Sequence, residues 1–311
     1  MRLSPFILCF FLAYALEAQQ SLLPKETLIN EVAVATMKVE GYPDFLASDE
    51  DGVWVTNTNR VEKFGAGDKN PAMSVSIPSP CGAMATGFGS LWVVSCAKKS
   101  LYRIDALSGE VQAVIETGIA DPEGELSIAV GAGSVWLLTN AQGELSRIDP
   151  YKNEVAHKIK VAPHSFAAVF GFNAIWITNT TSNSVQRIDP IKGKVIATIP
   201  VGATPRFLAA GLNGVWTLNQ TDGTISKIDP MTNTLQTTIA AEVPGSGGDI
   251  AVGSKNIFVR AKSTMLTVID PSSNAVIKRY GPPSGSGAVR VENGRVWITA
   301  HDINTIWIVN E

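Results

Sequence analysis

The sequence is poor in cysteine, in histidine and in charged residues of either sign. Its 311 residues include 3 Cys and 3 His, and only 17% are charged. Three cysteines cannot build a disulfide scaffold, although they allow one disulfide bond. The formal net charge of -3 and the lack of a strongly basic segment argue against nucleic acid as a partner. Because 45% of the residues are hydrophobic, the chain can bury a substantial core, which excludes a disordered polyelectrolyte.

Long hydrophobic runs are also missing, except at the N-terminus. Residues 6–15 are apolar, follow Arg2 and precede small residues up to Ala18. This run is too short to cross a bilayer, which takes about 20 apolar residues, and it is typical of a secretory signal peptide. We expect residues 1–18 to be a cleaved signal peptide and residues 19–30 to be an N-terminal extension. The mature chain is then predicted to be secreted or periplasmic, without a membrane span.

Motifs of common enzyme classes are missing as well. No Gly-x-Ser-x-Gly elbow, phosphate loop or dinucleotide fingerprint occurs in a suitable context. No cysteine begins a Cys-x-x-Cys-His haem motif, which argues against a redox enzyme subunit. No segment has a sustained 3.6-residue apolar period, so helix is predicted to be nearly absent from the mature chain.

What the sequence does contain is a repeat of about 40 residues. Seven times, an aromatic residue preceded by an aliphatic one follows an apolar or small residue by eight positions. The aromatic residues are Trp54, Trp92, Trp136, Trp176, Trp216, Phe258 and Trp297. Gly, Asn or Asp between the two positions is typical of tight hairpins. Two strands joined by a turn are therefore predicted in each repeat.

A second phrase follows the aromatic strand and marks another turn. It reads Arg147-Ile148-Asp149-Pro150 in one repeat and Arg187-Ile188-Asp189-Pro190 in the next, with Asn153 and Gly193 four residues after the Asp. An Asp at the start and a residue that tolerates positive φ at the end predict a type I turn with a bulge. Each repeat therefore has four antiparallel strands.

Seven such units predict an all-β, seven-bladed β-propeller over residues 31–311. One four-stranded sheet cannot bury both of its faces, whereas seven sheets packed around an axis can. The chain ends in the third strand of the seventh repeat, and residues 31–39 precede the first complete repeat. We expect this N-terminal strand to complete the last blade, so that no open sheet edge remains. A monomer is predicted.

The repeated phrases resemble those of the YVTN-repeat propellers and, more loosely, of the virginiamycin B lyase-like group. They are Gly-x-Gly-x-Val-Trp-Val-Thr-Asn, Arg-Ile-Asp-Pro and Val-x-Ala-Thr-Ile-x-Val-Gly, the last found at residues 195–202. The resemblance covers nearly the whole mature chain and implies a propeller. Such propellers include binding scaffolds, lyases, lactonases and quinone- or haem-associated enzymes. The lyase group implies a magnesium ion with His and Glu residues in the central cavity.

Candidate ligand-binding residues are predicted where the chain passes from blade to blade and after the aromatic strands, because these segments share one rim. They are Asp44, Glu125, His164, Arg206, Asp249, Lys262, Arg290 and His301. Arg290 interrupts a series of small residues on the innermost strands. Because burying an unpaired Arg is costly, we expect it either to point into the channel as an anion anchor or to pair with a carboxylate.

A metal site has few candidate ligands in this sequence. His164 and His301 are the two histidines expected at the rim, too few for a zinc site made of histidine alone. Asp44, Glu125 and Asp249 could supply the oxygen ligands that magnesium or calcium prefers. The spacing assigns no metal ligand, and no other cofactor is predicted.

Cys81 and Cys96 are predicted to face each other across a hairpin. The turn between them is centred between Phe88 and Gly89, which places both on adjacent antiparallel strands. Opposed Cβ atoms are about 4.5–5.5 Å apart, close to bridging distance. In an exported protein we expect a structural disulfide.

The sequence thus predicts an exported binding module that recognises a small polar or anionic ligand, or a protein partner, through the rim. The alternative is a metal-assisted lyase or lactonase that uses His164, His301 and rim carboxylates at the mouth of the channel.

Overall fold

The computed structural model describes residues 23–118 and 127–311, which form seven β-sheets. The innermost strand of each sheet packs against those of its two neighbours, and the last contacts the first, so the ring is closed. This confirms the predicted seven-bladed β-propeller. The predicted signal peptide and Glu125 lie outside the described residues. Within the described part of the chain, no helix has the length and apolarity that crossing a bilayer requires.

The secondary structure consists almost entirely of short strands. The chain begins with β1 (Glu26–Leu28), helix α1 (Ile29–Val32) and β2 (Ala33–Lys38). Blade 1 contains β3 (Leu46–Ser48), β4 (Val53–Asn57), β5 (Arg60–Phe64) and β6 (Met73–Ser76). Blade 2 contains β7 (Ala85–Gly87), β8 (Ser90–Ser95), β9 (Ser100–Asp105) and β10 (Val111–Glu116). Blade 3 contains β11 (Ile128–Gly131), β12 (Ser134–Asn140), β13 (Glu144–Asp149) and β14 (Glu154–Lys160).

The remaining blades follow in the same order, from the innermost strand outward. Blade 4 contains β15 (Ser165–Gly171), β16 (Ala174–Asn179), β17 (Ser184–Asp189) and β18 (Lys194–Pro200). Blade 5 contains β19 (Pro205–Gly211), β20 (Gly214–Asn219), β21 (Thr224–Asp229) and β22 (Thr234–Ala240). Blade 6 contains β23 (Gly248–Val252), β24 (Ile257–Ala261), β25 (Thr264–Asp270) and β26 (Ala275–Gly281). Blade 7 contains β27 (Val289–Glu292), β28 (Arg295–Ala300), a 3-10 helix (His301–Ile303) and β29 (Thr305–Asn310).

The N-terminal strand completes the last blade, as predicted. β2 pairs antiparallel with β29, with Ala35 opposite Ile308 and Lys38 opposite Thr305. β1 adds a fifth strand, parallel to β26, at the outer edge of blade 6. The sequence did not indicate this second pairing. Because β2 and the last strand, β29, share one sheet, the ring cannot open without breaking the β2–β29 ladder.

Each Asp of the Ile-Asp-Pro phrase caps the turn that follows it. The carboxylate of Asp149 accepts hydrogen bonds from the backbone N–H groups of Tyr151 and Lys152 at 2.8 and 3.1 Å. Asn153, which closes the turn, has a φ of 57°. These N–H groups stabilise the charged carboxylate and lower the pKa of Asp149 below its ordinary value. The phrase therefore terminates β13 by local hydrogen bonding, as the turn pattern predicted.

The tryptophans of the repeat lie between neighbouring blades, and each of five is covered by a cation from the third strand of its own blade. The Arg187 guanidinium lies 5.0 Å from the Trp176 ring centroid. It also donates to the backbone carbonyl of Pro230 and to the side chain of Asn233 in the next blade, both at 2.7 Å. We call this arrangement the cation clamp. Equivalent cation–ring pairs are Lys63–Trp54, Arg103–Trp92, Arg147–Trp136 and Lys227–Trp216.

The clamp joins blades through their turns. Bonds from the cation to the next blade recur as Lys63–Ala106, Arg103–Pro150 and Lys227–Pro271. Blade 7 reaches blade 1 by a different residue, since Arg295 donates to the carbonyl of Ala66 at 3.1 Å. A cation over a ring stabilises by about 0.5–2 kcal/mol when it is partly desolvated. The same side chain thus covers the core and satisfies a carbonyl of the adjacent blade.

Cys81 and Cys96 form a disulfide with their Cα atoms 5.9 Å apart. The backbone N–H groups of both residues donate across the same hairpin, to Val94 and Ser79 respectively. The bond therefore extends the pairing of the first two strands of blade 2 toward the rim.

The cation clamp predicts that two substitutions, each removing one positive charge, change the stability of the protein by different amounts. Arg187→Gln should destabilise the protein by about 2–3 kcal/mol, because it removes the cation–ring contact and leaves the Pro230 carbonyl without its partner. Lys192→Gln is the matched control, since Lys192 is exposed and its ion pair with Asp189 lies on the surface. It should change stability by less than about 0.5 kcal/mol. Urea unfolding measures both, and equal effects would show that the clamp does not stabilise the ring.

Candidate functional site

A cavity opens at the rim where the interblade connections meet the turns after the second strands. It has a volume of about 340 Å³ and walls from blades 5, 6, 7 and 1. We call it the rim cavity. The polar side chains around it include Tyr42, Asp44, Arg206, Lys262, His301 and Asp302. Cations come from blades 5 and 6, whereas both carboxylates come from blades 7 and 1.

The structure brings together half of the sequence-predicted site residues. Asp44, Arg206, Lys262 and His301 line the rim cavity. His164 is exposed on the connection between blades 3 and 4 and does not line it.

The other predicted residues lie elsewhere. Asp249 and Arg290 belong to the wall of the central channel. Glu125 is outside the described residues. The predicted site residues are thus divided between the rim cavity and the central channel.

Arg206 is held by an aromatic ring. It is half-buried near the start of β19, and its guanidinium lies 4.6 Å from the ring centroid of Phe166. Phe166 in turn packs edge-on against Phe207, with centroids 5.5 Å apart. The buried Nε of Arg206 has no hydrogen-bond acceptor among the described residues. The ring fixes the direction of the guanidinium, because face-on stacking restricts a planar cation.

Threonine hydroxyls position two of the site residues. Thr178 of blade 4 donates to the backbone carbonyl of Arg206 at 2.7 Å, and Thr299 of blade 7 donates to that of Asp44 at 2.8 Å. Each hydroxyl also accepts a backbone N–H from its own blade, those of Ala167 and Ala288. Both threonines lie two residues after the aromatic residue of their repeat. The repeat therefore fixes the backbone of Arg206 and Asp44 by equivalent hydrogen bonds in two blades.

Arg260 occupies the same position in blade 6 and is completely buried. The sequence analysis did not select it. In the other six repeats the residue two positions after the aromatic residue is Thr, Val or Leu, so an Arg at this position could have been noticed. Among residues 23–118 and 127–311, its N–H groups donate only to backbone carbonyls. The acceptors are Ala261, Thr264, Ser284, Gly285 and Thr299. Arg260 thus fixes the connection that walls the rim cavity between blades 6 and 7.

The charge of Arg260 acts on the cavity above it. Burial lowers its pKa to about 10, while the carboxylates of Asp302 and Asp44 oppose this shift. At neutral pH the guanidinium is therefore still protonated. A permanent positive charge lies beneath the two carboxylates and balances them in part.

His301 begins the 3-10 helix after β28 and stacks on Tyr42. The ring centroids are 4.2 Å apart with an interplanar angle of 22°, and the Tyr42 hydroxyl lies 3.3 Å from Nε2. The Asp302 carboxylate lies 2.8 Å from Nδ1, but out of line for a hydrogen bond, so the contact is mainly electrostatic. Burial lowers the pKa of His301 more than Asp302 raises it. The imidazole is therefore neutral at pH 7 and can accept a proton.

The central channel is a second cavity, of about 490 Å³, to which every innermost strand contributes. Most of its lining side chains are small or apolar, with Asp249 and Arg290 as the charged residues, but the surface of the channel is more polar than apolar. The Arg290 Nη2 lies 3.4 Å from Oδ2 of Asp249, and its Nε donates to the backbone carbonyl of Leu46 at 3.1 Å. Asp249 also accepts the backbone N–H groups of Ile250 and Val289. Burial raises the pKa of Asp249, which Arg290 opposes.

The described residues do not fit a bound metal ion. Within residues 23–118 and 127–311, no three His, Cys, Asp or Glu side chains are grouped closely enough to hold one. Asp44 lines the rim cavity, whereas Asp249 lines the channel and is paired with Arg290. Three residues were expected to supply oxygen ligands to magnesium or calcium. Of these, Asp44 and Asp249 lie in different cavities, and Glu125 is outside the described residues.

Two lyases are among the solved structures that resemble this chain. Selenomethionine-substituted virginiamycin B lyase from Staphylococcus aureus has a TM-score of 0.76 and 15% identity, covering 89% of this chain and 98% of that chain. A streptogramin B lyase has the same TM-score and identity, covering 89% of this chain and 97% of that chain. Similarity at this identity shows the shared propeller fold alone. No protein-family profile and no curated protein sequence matches the chain, so the YVTN-repeat resemblance stays a prediction.

The surroundings of His301 predict how it titrates. Its pKa should lie below the ordinary 6.5, since burial disfavours the charged imidazole. The folded protein then binds fewer protons at this site than the unfolded chain, so His301 lowers stability as the pH falls through 6.5. Asp302→Asn should lower the pKa further, because the carboxylate favours the imidazolium.

Imidazole NMR spectra recorded against pH, with His301→Gln to assign the signal, measure both values. A pKa at or above 6.5, or a rise in Asp302→Asn, would contradict this electrostatic account of the site.

Proposed function

We propose that the protein is an exported binding module that takes up a small polar ligand with a negatively charged group in the rim cavity. The observation that carries this proposal is the meeting of Arg206 and Lys262, from adjacent blades, at one cavity. Phe166 already orients Arg206, so little side-chain entropy is lost when a carboxylate or phosphate oxygen binds. Export stays a prediction that rests on residues 1–18.

The opposite charges of the cavity select further among such ligands. Asp44 and Asp302 line it from blades 7 and 1. A simple anion would meet both attraction and repulsion there, whereas a ligand with a negative end and a positive end can satisfy both. A volume of about 340 Å³ suits a small molecule of this kind. The favoured ligand is therefore a small zwitterion.

The proposal predicts an order of affinity for three probes of similar size and different charge. 4-Aminobutyrate should bind more tightly than butyrate, and butyrate more tightly than butylamine, as measured by saturation-transfer NMR at low salt. Arg206→Gln should weaken binding of both carboxylates by about fivefold or more, since a charge-assisted hydrogen bond is lost. Lys192→Gln, at a turn on the opposite face, is the control and should change nothing.

Two results would overturn the proposal. One is equal binding of butyrate and butylamine. The other is carboxylate binding that Arg206→Gln and Lys262→Gln leave unchanged while the variants remain folded.

A second candidate is lyase or lactonase chemistry at the same mouth, which the structural similarity to two lyases favours. Of the histidines expected to act in this reaction, His301 lines the rim cavity and His164 does not. His301 is neutral at pH 7 and could remove a proton from a bound substrate. Since the described residues do not fit a metal ion, no step is assigned to one.

This second candidate is tested by incubation with virginiamycin B, followed by chromatography. Activity predicts consumption of the compound by the wild type and loss of at least about 100-fold in rate in His301→Gln, as expected for a general base. His164→Gln is the matched control, because it removes an exposed histidine from the same rim. No consumption, or equal rates in both variants, would leave the binding function alone.

A further inference from the structure

We propose that the rim cavity continues into an apolar groove and that the ligand of the two together is a free α-amino acid with an aromatic side chain. The groove is a cavity of about 370 Å³ between blades 1 and 2, and its lining residues lie within 42–45, 56–59 and 79–82. We call it the side-chain groove. This inference rests on the function proposed for the rim cavity and names the class of ligand.

The side-chain groove and the rim cavity adjoin each other. Tyr42, Asp44 and Phe45 line both of them. The surface of the rim cavity is mostly polar, whereas the surface of the groove is more apolar than polar. A ligand with a charged head and an apolar body therefore fits the pair of cavities better than a ligand that is polar throughout.

The amide of Asn57, which lines the groove, is already fully bonded within the protein. Its Oδ1 accepts the backbone N–H groups of Tyr42 and Thr58 at 2.6 and 2.7 Å. Its Nδ2 donates to the backbone carbonyl of Glu40 at 2.9 Å and to the carboxylate of Glu62 at 2.7 Å. These four bonds use the two lone pairs and the two donors of the amide. An apolar group can therefore enter the groove without leaving this amide unpaired.

Tyr42 presents an aromatic surface where the two cavities meet. One face of its ring stacks on His301, and the residue is still 47% exposed. Pro80 and the disulfide-bonded Cys81 add apolar surface from the connection between blades 1 and 2. Aromatic rings pair favourably with one another, either offset or edge-to-face. The apolar body that suits this groove is therefore an aromatic ring.

Asp44 indicates where the ammonium group of the ligand would lie. It lines both cavities, whereas Arg206 and Lys262 line the rim cavity and not the groove. Its backbone N–H donates to the carbonyl of Thr56 at 3.0 Å, and its carbonyl accepts the hydroxyl of Thr299 at 2.8 Å. With the ammonium at Asp44, the carboxylate would point to the two cations and a third substituent into the groove. An α-amino acid carries these three groups on one carbon atom.

Four ligands test this assignment by isothermal titration calorimetry at low salt. They are L-phenylalanine, L-alanine without the ring, L-phenylalaninamide without the carboxylate and N-acetyl-L-phenylalanine without the ammonium. Phenylalanine should bind about tenfold more tightly than alanine, as expected when an open groove covers part of the benzyl group. Both analogues with a single charge should bind more weakly than phenylalanine by about fivefold or more, since a charge-assisted hydrogen bond is lost.

Nuclear Overhauser effects from the phenylalanine ring to 13C-labelled threonine methyl groups show where the ring binds. Thr58 lines the groove, and Thr180 occupies the same position in blade 4, four residues after the aromatic residue of its repeat. Thr180 lines neither the groove nor the rim cavity. We expect an effect at the Thr58 methyl group and none at Thr180.

A substitution that fills the groove provides a second measurement. Thr58 is exposed, so Thr58→Trp adds bulk without disturbing the core. It should abolish the tenfold preference for phenylalanine over alanine and leave alanine binding unchanged. Thr180→Trp is the matched control, because it makes the same change in the corresponding turn of another blade, and it should keep the preference.

The failure of this inference and the failure of the proposed function give different results. If 4-aminobutyrate and alanine bind through Arg206 but phenylalanine binds no better than alanine, the groove is not part of the site and this inference alone is wrong. If phenylalanine binds and Arg206→Gln does not weaken it, the function proposed for the rim cavity is wrong too. Binding of none of these ligands would overturn both.

Three further results would contradict the assignment of a free amino acid in the groove. Equal binding of phenylalanine and phenylalaninamide would identify the N-terminus of a peptide as the ligand. Equal binding of phenylalanine and its N-acetyl derivative would identify a peptide C-terminus. Binding of phenylalanine without an effect at the Thr58 methyl group would place the ring outside the groove.

Discussion

The interface between neighbouring blades is the constraint on which the rest of the structure depends. A four-stranded sheet has two apolar faces, and each face is buried only when another blade covers it. The cation clamp makes this interface specific, because Arg187 covers Trp176 and bonds to the turn of the next blade. Closure by β2 then makes the number of blades fixed, since the ring has no free end. The distances between side chains at the rim and in the channel are therefore set by the packing of the blades.

The clamp is interrupted where the ring closes, and the candidate sites lie there. In blade 4, Trp176 is opposite Arg187, whereas in blade 6 Phe258 is opposite Val268 and in blade 7 Trp297 is opposite Ile308. Three arginines at other positions of these two blades donate to backbone carbonyls of the next blade. They are Arg260 beneath the rim cavity, Arg290 in the channel and Arg295 at the junction with blade 1. Where the third strand has no cation opposite the aromatic residue, arginines at other positions therefore make the bonds between blades.

The fold could be predicted because its determinants are local and repeated. Turn residues, strand length and aromatic spacing recur in every unit, and the only regular way to bury seven such units is around an axis. Four of the six polar residues named at the rim cavity could also be predicted, since Asp44, Arg206, Lys262 and His301 occupy repeat positions that share the rim. His164 occupies such a position too, yet the cavity forms over other blades. Arg260, which bonds to the connection between blades 6 and 7 at this cavity, does not follow the repeat.

The sequence by itself determined the number of blades, the order of their strands and the strand that closes the ring, because backbone turns and alternating burial are encoded in short segments. Tertiary structure alone decided which charges meet. Asp249 and Arg290 are 41 residues apart and belong to different blades, and their separation of 3.4 Å results from packing of two innermost strands. The same holds for Tyr42 and His301, whose rings stack only because the first and last blades are neighbours. Electrostatic pairing depends on distances of a few ångströms in space, and a linear sequence specifies these only through the completed ring.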